Sequence, residues 1–367
     1  MRRLLALIAT LALLGVAPAF ASEASPTTAA SGPTTFAAAA PALSIRVSGN
    51  RLVDARGAKV QLRGVNRSGL EYACIQGWGL FDGPHDLESV RAIKTWHANA
   101  VRIPLNEDCW LGINGVKAEY GGASYRTAVR RFVELLNRQG LYVILDLHWS
   151  APGSTPATGQ NPMPDADHSP AFWRGVASVF ASHPAVIFDV FNEPYPDNNQ
   201  STAAAWSCLL HGGTCRGVPY RVAGMQKLVS TVRTTGAKNV IMVGGVQYAN
   251  AMDRWLRYRP KDPAHQLAAS VHDYNFNACG SAACWQRHYA PVAARVPLIA
   301  GEIGESGGTG AFVKGYMRWA DQHAVSYLGW TWDVWGCGQG PVLISSYSGT
   351  ACPGYGAIYR AHLAARR

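Results

Sequence analysis

The sequence of 367 residues lacks the short motifs that mark several common kinds of functional site. None of its eight cysteines belongs to a Cys-x-x-Cys pair, which argues against a zinc site and against thioredoxin-like redox chemistry. No Gly-x-Gly-x-x-Gly and no phosphate-binding loop follows an apolar segment, so a nucleotide site is not indicated. No segment repeats at a fixed period, which argues against a solenoid or a propeller.

Charge is also scarce, and its two signs are unequal. Charged residues make up 15% of the chain, and 33 Lys and Arg against 23 Asp and Glu give a formal charge of +10. The basic residues are scattered along the sequence, so a solvated basic surface is a better interpretation than a nucleic-acid site. The 48% hydrophobic content suits a protein with a large core.

The amino terminus has the pattern of a targeting segment. Arg2 and Arg3 precede an apolar run over residues 4–16, and Ala19-Phe20-Ala21 fits a cleavage site. This predicts a secretory signal peptide over residues 1–21, with a retained membrane anchor as the alternative. Residues 22–42, rich in Ala, Ser, Thr and Pro, predict a disordered linker. Residues 43–367 would then form one secreted domain that does not bind membranes, and we expect a monomer.

Short apolar segments alternate with amphipathic ones along the rest of the chain. The apolar segments predict eight strands at residues 61–65, 98–103, 142–146, 186–191, 240–243, 267–272, 297–300 and 327–331. Helices are predicted at about residues 125–139, 171–181 and 223–234. This alternation favours parallel βαβ units closed into a (β/α)8 TIM barrel in the α/β class, with a doubly wound open sheet as the rival. Residues 45–60 predict a short β-hairpin ahead of the barrel.

Polar or aromatic side chains stand at the end of nearly every predicted strand. They are Asn66, Arg102, His148, Asn192 with Glu193, His272 with Tyr274, Glu302 and Trp332. The carboxyl ends of parallel barrel strands share one rim, where TIM-barrel enzymes carry their chemistry. Two carboxylates on opposite sides of a bond are what glycoside hydrolysis requires, because one donates a proton while the other attacks or activates water.

The segments that carry these residues resemble glycoside hydrolase family 5, the cellulase-like retaining hydrolases. The matching segments are Leu62-Arg63-Gly64-Val65-Asn66, Val101-Arg102-Ile103-Pro104, Asp146-Leu147-His148-Trp149, Phe191-Asn192-Glu193-Pro194, His272-Asp273-Tyr274 and Gly301-Glu302. The resemblance runs from about Leu43 to the end of the chain. It implies that Glu193 is the acid/base and Glu302 the nucleophile. Because two carboxylates suffice, neither a catalytic metal nor an organic cofactor is implied.

The same resemblance suggests how the other residues take part. We expect Asn192 to bind a sugar 2-hydroxyl, and Arg102 and Tyr274 to contact Glu302.

His148 and His272 would shape the subsite of the cleaved sugar. Trp332 would be the floor on which that ring stacks, with Trp330 as the second choice. Other aromatic residues in predicted loops are each as compatible with a subsite as with the core. They are Trp78, Trp110, Trp149, Tyr195, Tyr248, Trp285 and Trp335.

We therefore expect a secreted retaining β-glycoside hydrolase, an endo-β-1,4-glucanase acting on β-linked oligo- or polysaccharide. The resemblance also admits a mannanase, an exo-β-1,3-glucanase or a disaccharide-releasing glycosidase. Gly304-Glu305-Ser306-Gly307-Gly308 satisfies the Gly-x-Ser-x-Gly elbow of serine esterases, although little chain follows it for the rest of a triad. A sugar-binding protein on an inactive barrel is a further alternative.

Eight cysteines in a secreted chain indicate disulfides, and eight cysteines allow 105 connectivities. Loop positions narrow the choice. Cys74 and Cys109 fall in loops after adjacent strands, and the other cysteines pair within single loops. These other pairs are Cys208 with Cys215, Cys279 with Cys284, and Cys337 with Cys352.

Overall fold

The computed structural model describes residues 43–366. Its strands, numbered in chain order, are β1 Arg46–Ser48, β2 Arg51–Val53, β3 Lys59–Val60, β4 Arg63–Asn66, β5 Ala100–Asn106, β6 Tyr142–Trp149, β7 Val186–Asp189, β8 Gly212–Thr214, β9 Arg221–Ala223, β10 Ile241–Gly244, β11 Leu267–Tyr274, β12 Leu298–Gly304, β13 Ser326–Gly329, β14 Ile344–Ser346 and β15 Thr350–Ala351.

The helices lie mainly between the barrel strands. They are α1 Leu87–Lys94, α2 Glu107–Leu111, α3 Ala123–Arg138, α4 Ser169–Phe180, α5 Pro196–Asn199, α6 Ala203–His211, α7 Met225–Thr234, α8 Trp255–Tyr258, α9 Ala282–Cys284, α10 Ala290–Ala293, α11 Ala311–His323 and α12 Tyr355–Ala364, and a π-helical turn spans Trp285–Tyr289. The longer ones are amphipathic. In α3, for example, Val129, Phe132 and Leu136 recur at helical spacing and are buried against the barrel.

Eight parallel strands close into a barrel in the order β4, β5, β6, β7, β10, β11, β12 and β13. The last strand returns to the first, since Tyr327 of β13 pairs with Arg63 of β4 and Leu328 pairs with Gly64. The closure confirms the predicted (β/α)8 barrel and excludes the open sheet. All seven residues of β5 are buried, as expected for a parallel strand that is covered on both faces.

A small antiparallel sheet covers the amino-terminal end of the barrel. It consists of β1, β2 and β3, so the predicted hairpin is present with a third short strand. Ile45 and Leu52 of this region belong to one buried apolar cluster with Ala100, Ile144 and Ile187 from the barrel strands. Because apolar packing fills this end, polar side chains can gather only at the carboxyl ends of the strands.

Several strands run further than predicted. Strands β5, β6, β11 and β12 each extend beyond their predicted ends, so Arg102 and Glu302 lie inside strands rather than at their ends. At the mouth of the barrel the side chains of Arg102 and Glu302 face the interior, while their backbones continue the hydrogen-bonded strands. The polarity of a residue does not by itself show that a strand continues through it.

All four predicted disulfides are confirmed. The structure joins Cys74 to Cys109, Cys208 to Cys215, Cys279 to Cys284 and Cys337 to Cys352. The first bridge ties the loop after β4 to α2, just beyond β5. None of the helices between residues 43 and 366 has the length and apolar character that a bilayer span requires. The predicted signal peptide and linker, residues 1–42, lie outside the described residues.

Candidate active site

Two glutamates meet in a cavity of about 390 Å³. Glu302 lies in β12, and Glu193 follows the end of β7. A carboxyl oxygen of Glu193, one of Glu302 and a ring nitrogen of His272 all lie within 4.8 Å of one another. The cavity is lined by His148, Gln160, Asn192, Glu193, Tyr248, Tyr274, Phe276, Asn277, Glu302, Trp330 and Pro341. The fold thus brings both predicted carboxyl groups to one opening.

Glu302 is held by two strong donors. Nη1 of Arg102 donates to its Oε1 at 2.7 Å, and the Tyr274 hydroxyl donates to its Oε2 at 2.6 Å. The Glu302 side chain is only 5% exposed. Because each carboxylate oxygen has its own donor, the plane of the carboxylate is fixed at the floor of the cavity.

Arg102 is the hub of a buried polar network beneath that floor. Its Nη2 lies 3.0 Å from Asp146 Oδ2, and its Nε donates to Asp189 Oδ2 at 3.1 Å. It also donates to the side-chain oxygens of Asn66 and Asn192, at 3.1 and 2.9 Å. Burial opposes the charged form, but the surrounding carboxylates outweigh it and raise the pKa of Arg102 above its ordinary value. The cation is therefore permanent, and with Glu302 included it positions five side chains at once.

Glu193 has a different environment. Its Oε1 lies 2.8 Å from Nδ1 of His272, and its Oε2 accepts a hydrogen bond of 2.9 Å from Gln160. Burial raises the pKa of Glu193 above its ordinary value, although Gln160, His148 and Arg102 lower it in part. A raised pKa keeps this carboxyl group protonated to higher pH, as a proton donor requires.

Both histidines of the site are neutral at ordinary pH. Burial is the main cause, and it lowers the pKa of His148 to about 4 and that of His272 to about 3. Nδ1 of His148 lies 2.6 Å from Oδ2 of Asp146. Nδ1 of His272 faces Glu193 and lies 3.6 Å from Oε2 of Glu302, so one imidazole touches both carboxyl groups.

The prediction that Trp332 forms the sugar-binding floor is wrong. Its side chain is buried, and its ring packs edge-on against Trp96 at a centroid distance of 4.9 Å. Trp330, the second choice, lines the cavity and stacks on His148 with an interplanar angle of 7°. The two tryptophans lie two residues apart in the loop that follows β13, where strand alternation no longer indicates which side chain faces inward.

Of the other aromatic residues named from the sequence, Trp110 and Trp285 belong to the core. Tyr248 lines the cavity and stacks on Tyr195 at 4.5 Å. Trp78 is 64% exposed.

A group of aromatic rings continues from Trp330. Trp335 lies 6.2 Å from it and 6.3 Å from Tyr72, and Tyr72 in turn contacts Trp78 and Trp149. Aromatic side chains therefore reach from the cavity to the surface of the loops after β4 and β13.

The Gly-x-Ser-x-Gly match has a structural explanation. Glu305 accepts hydrogen bonds from the backbone of Gly310 and Phe312, which cap the start of α11. Ser306 makes backbone hydrogen bonds with Asn275, and His323 is bonded to a carbonyl of its own helix. Among residues 43–366, no histidine is hydrogen-bonded to Ser306, so the esterase alternative has no geometric support.

Glu193, His272 and Glu302 are also the group whose ligand atoms lie close enough to hold a metal ion. A cation there would engage both carboxyl groups. Metal binding and acid–base chemistry by these residues would therefore exclude each other.

Comparison with known proteins decides the family. The sequence profile of the cellulase family, glycosyl hydrolase family 5, matches residues 53–335. The chain belongs to glycosyl hydrolase family 5. A mannan endo-1,4-beta-mannosidase of Streptomyces lividans is 24% identical over 317 residues, which is 83% of this chain and 70% of the relative. An endoglucanase of a Microbulbifer species is 27% identical over 150 residues, or 41% of this chain, and the match spans about a quarter (26%) of that longer protein.

A solved structure supports the same fold for this family 5 chain. The beta-glucanase SdGluc5_26A of Saccharophagus degradans, crystallised in complex with cellotetraose, superposes with a TM-score of 0.68 at 18% identity. The superposition covers 91% of this chain and 97% of the beta-glucanase. At this identity the likeness concerns the barrel and not the substrate.

Sequence reasoning missed two kinds of residue in this family 5 site. Gln160 lies in the long loop after β6 and contacts Glu193, but no strand or helix pattern marks it. Asp146 and Asp189 are a neighbouring pair in β6 and β7 that supports Arg102 from below. Asp146 stands in one of the family motifs. A carboxylate within an otherwise apolar strand was the signal in the sequence that could have predicted its role beside Arg102.

Proposed function

We propose that this chain is a retaining β-glycoside hydrolase in which Glu302 is the nucleophile and Glu193 the acid/base. The observation that carries the proposal is the spacing of the two carboxyl groups, whose oxygens approach within 4.8 Å. Retaining enzymes hold these groups about 5–5.5 Å apart, whereas inverting enzymes need roughly 6.5–9.5 Å to seat a water molecule. The different partners of the two groups support the division of roles.

In the first step, a carboxylate oxygen of Glu302 attacks the anomeric carbon. The bond from that carbon to the leaving oxygen breaks, and the proton of Glu193 moves to this oxygen. In the second step, Glu193 takes a proton from water, the resulting hydroxide attacks the anomeric carbon, and the ester bond to Glu302 breaks. Glu193 ends protonated and Glu302 ionised, so the enzyme is restored.

Asn192 is suited to bind the sugar 2-hydroxyl. Its Oδ1 accepts from Arg102, which fixes the orientation of the amide. Its Nδ2 makes no side-chain hydrogen bond with any described residue, and Asn192 lines the cavity. A donor that is held in place can strengthen its hydrogen bond as positive charge develops on the sugar ring. His148, stacked on Trp330, would shape the same subsite.

For the substrate, we propose a β-1,4-glucan cleaved internally. Trp330 offers a ring face at the cavity, and exposed Trp335 and Trp78 extend the aromatic surface away from it. Sugar rings stack on such faces, so several units of one chain can bind in a row. Relatives named as endoglucanases and the beta-glucanase crystallised with cellotetraose favour glucan. The Streptomyces relative named as a mannosidase makes β-mannan the alternative.

We also propose that residues 43–367 are the catalytic domain, exported by the segment at residues 1–21, with residues 22–42 as the linker between the two. Four disulfides are typical of proteins that fold in an oxidising compartment outside the cytosol. The expected partner is a β-linked saccharide, and the enzyme is expected to act as a monomer.

The test is hydrolysis of a substrate panel by the purified wild type and three variants. Glu193→Gln and Glu302→Gln should lose activity on barley β-glucan and carboxymethylcellulose. Glu134→Gln, a change on α3 at a partly exposed side chain outside the cavity lining, should not. Viscosity that falls faster than reducing ends appear would show internal cleavage. Activity on galactomannan that exceeds activity on glucan would replace glucan by mannan, and full activity of both site variants would refute the proposed roles.

A further inference from the structure

A second concave site lies at the opposite end of the barrel. It is a groove of about 720 Å³ lined by Val47, Gly49, Leu256, Arg257, Arg259, Pro260, Lys261, Asp262, Pro263, His265, Leu267 and Val296. Leu267 begins β11, and Tyr274 at its other end contacts Glu302. Seven strand steps of about 3.3 Å separate these residues, so the groove is roughly 23 Å from the glutamates. A ligand here would leave the catalytic cleft open.

The groove carries unpaired positive charge. Arg257, Arg259 and Lys261 are exposed, and their charged groups have no ion-pair or hydrogen-bond partner among the described residues. Asp262 is the acidic residue of the groove, and Arg233 binds both of its oxygens at 2.7 and 3.0 Å. The negative charge of Asp262 is thus already matched from outside the groove, and three cations remain available.

The segment that carries these cations is held in place by side-chain bonds. The backbone N–H of Lys261 donates to Gln226 of α7, whose amide donates back to the Lys261 carbonyl. Asp262 also accepts from the backbone N–H groups of Ala264 and Gln266. These bonds fix the backbone around Lys261, and Arg257 lies in helix α8, which limits the ordering cost of binding at both positions.

We propose that this groove binds a linear acidic polysaccharide, a polyuronide with one carboxylate on each sugar. The guanidinium groups of Arg257 and Arg259 can bind carboxylates through paired hydrogen bonds, and Lys261 adds a point charge. The apolar side chains of Val47 and Leu256 line the same groove and can pack against the C–H faces of sugar rings.

Other polyanions fit less well. Single-stranded nucleic acid binds on exposed aromatic faces, and a membrane surface is usually entered by exposed apolar side chains. The exposed large apolar residues of the described chain are Trp78, Tyr248, Phe276, Val334 and Trp335, and none lines the groove. Duplex DNA usually engages more cations than three, on a broader face.

Binding of the polysaccharide at the groove does not depend on the proposed hydrolysis, but the benefit of that binding to the enzyme rests on the proposed function. A domain anchored to an acidic polymer by one end keeps its cleft near neutral glucan in the same matrix, which raises the effective substrate concentration. The net charge of +10 for the whole sequence favours the same association.

The test is affinity electrophoresis of the protein through gels that contain polygalacturonic acid, with dextran as the neutral polymer. Wild type should be retarded by the acidic polymer alone, and less so as salt rises. The triple variant Arg257→Gln, Arg259→Gln, Lys261→Gln should lose at least about tenfold in affinity, because three charge contacts are removed. A matched triple variant, Arg131→Gln, Lys314→Gln, Arg318→Gln, removes three exposed cations from α3 and α11 and should stay within about threefold of wild type.

Equal losses of affinity for polygalacturonic acid in the two triple variants would show that net charge alone drives retention. That result would refute the proposed binding site in the groove. Binding of single-stranded DNA or of anionic vesicles with the same dependence on Arg257, at equal affinity, would overturn the choice of polyuronide. Hydrolysis of an aryl β-cellobioside is measured in parallel and should be equal in all three proteins. If wild type lacked this hydrolysis but still bound polygalacturonate, the proposed function would fail while the groove would stand.

Discussion

Replacement of Glu193 by alanine should slow catalysis to a degree that depends on the leaving group. The carboxyl group is held between His272 at 2.8 Å and Gln160 at 2.9 Å, with a pKa raised by burial, so the variant loses the proton donor of the proposed mechanism. General acid catalysis contributes about 10²- to 10⁴-fold, which corresponds to roughly 2.7–5.4 kcal/mol of barrier. Hydrolysis of an unactivated cello-oligosaccharide should fall by this factor.

A 2,4-dinitrophenyl β-cellobioside tests whether the loss of activity comes from the missing proton donor. Its leaving group needs no proton, so Glu302 should still form the covalent intermediate at close to the wild-type rate. Release of the sugar should then stall, because Glu193 is missing as the base. A burst of dinitrophenol measured by stopped flow would show this, and added azide should restore turnover and give a β-glycosyl azide. Glu134→Ala is the control and should behave as wild type.

A Glu193→Ala enzyme equally slow on both substrates, without a burst and without azide rescue, would refute the assignment of Glu193 as the acid/base. An α-glycosyl azide from this variant would instead exchange the roles of the two glutamates, because it would mean that the nucleophile had been removed.

Three further predictions test neighbouring features. Gln160→Leu removes a donor that lowers the pKa of Glu193, so the alkaline limb of the kcat/KM profile should move to higher pH, and a limb that stays or moves down would contradict this. Trp330→Ala should reduce kcat/KM on cello-oligosaccharides by about 10- to 100-fold through lost stacking, whereas Trp332→Phe should lower the melting temperature without changing KM. Burial raises the pKa of Glu71 to about 8, so the folded protein keeps a proton that the unfolded chain releases above pH 4.5. Glu71→Gln removes this cost and should raise the free energy of unfolding by up to about 4 kcal/mol near pH 7.5 but little at pH 4. Urea unfolding at the two pH values measures the difference.

The barrel and its bridges could be predicted from the sequence because their signals are local. Apolar segments of strand length alternate with amphipathic helices, and a loop after one strand can reach the loop after the next, as Cys74 and Cys109 do. The contact between Arg102 and Glu302 was harder to predict. The two residues are 200 positions apart in the sequence, and their contact was expected from the family resemblance.

The errors arose where local patterns lose their meaning. Beyond the last paired residue of β13, strand alternation no longer assigns faces, so Trp332 was preferred although Trp330 faces the cavity. Gln160 reaches Glu193 from a long loop whose path depends on tertiary packing. Arg257 and Arg259 stand close together in the sequence. The groove that they line also includes Val47 and Gly49 from the region of the amino-terminal sheet, so the sequence around the two arginines does not predict it.

The central claim, that Glu302 attacks the sugar directly while Glu193 supplies the proton, is tested most directly by the configuration of the first product. Two displacements at one carbon restore its configuration, and carboxyl oxygens within 4.8 Å of each other match a retaining pair better than the roughly 6.5–9.5 Å of an inverting pair. Proton NMR of cellopentaose hydrolysis by wild type, recorded in the first minutes before mutarotation, should show the β-anomer accumulating at the new reducing end. Initial accumulation of the α-anomer would contradict both the nucleophile assignment and the retaining mechanism.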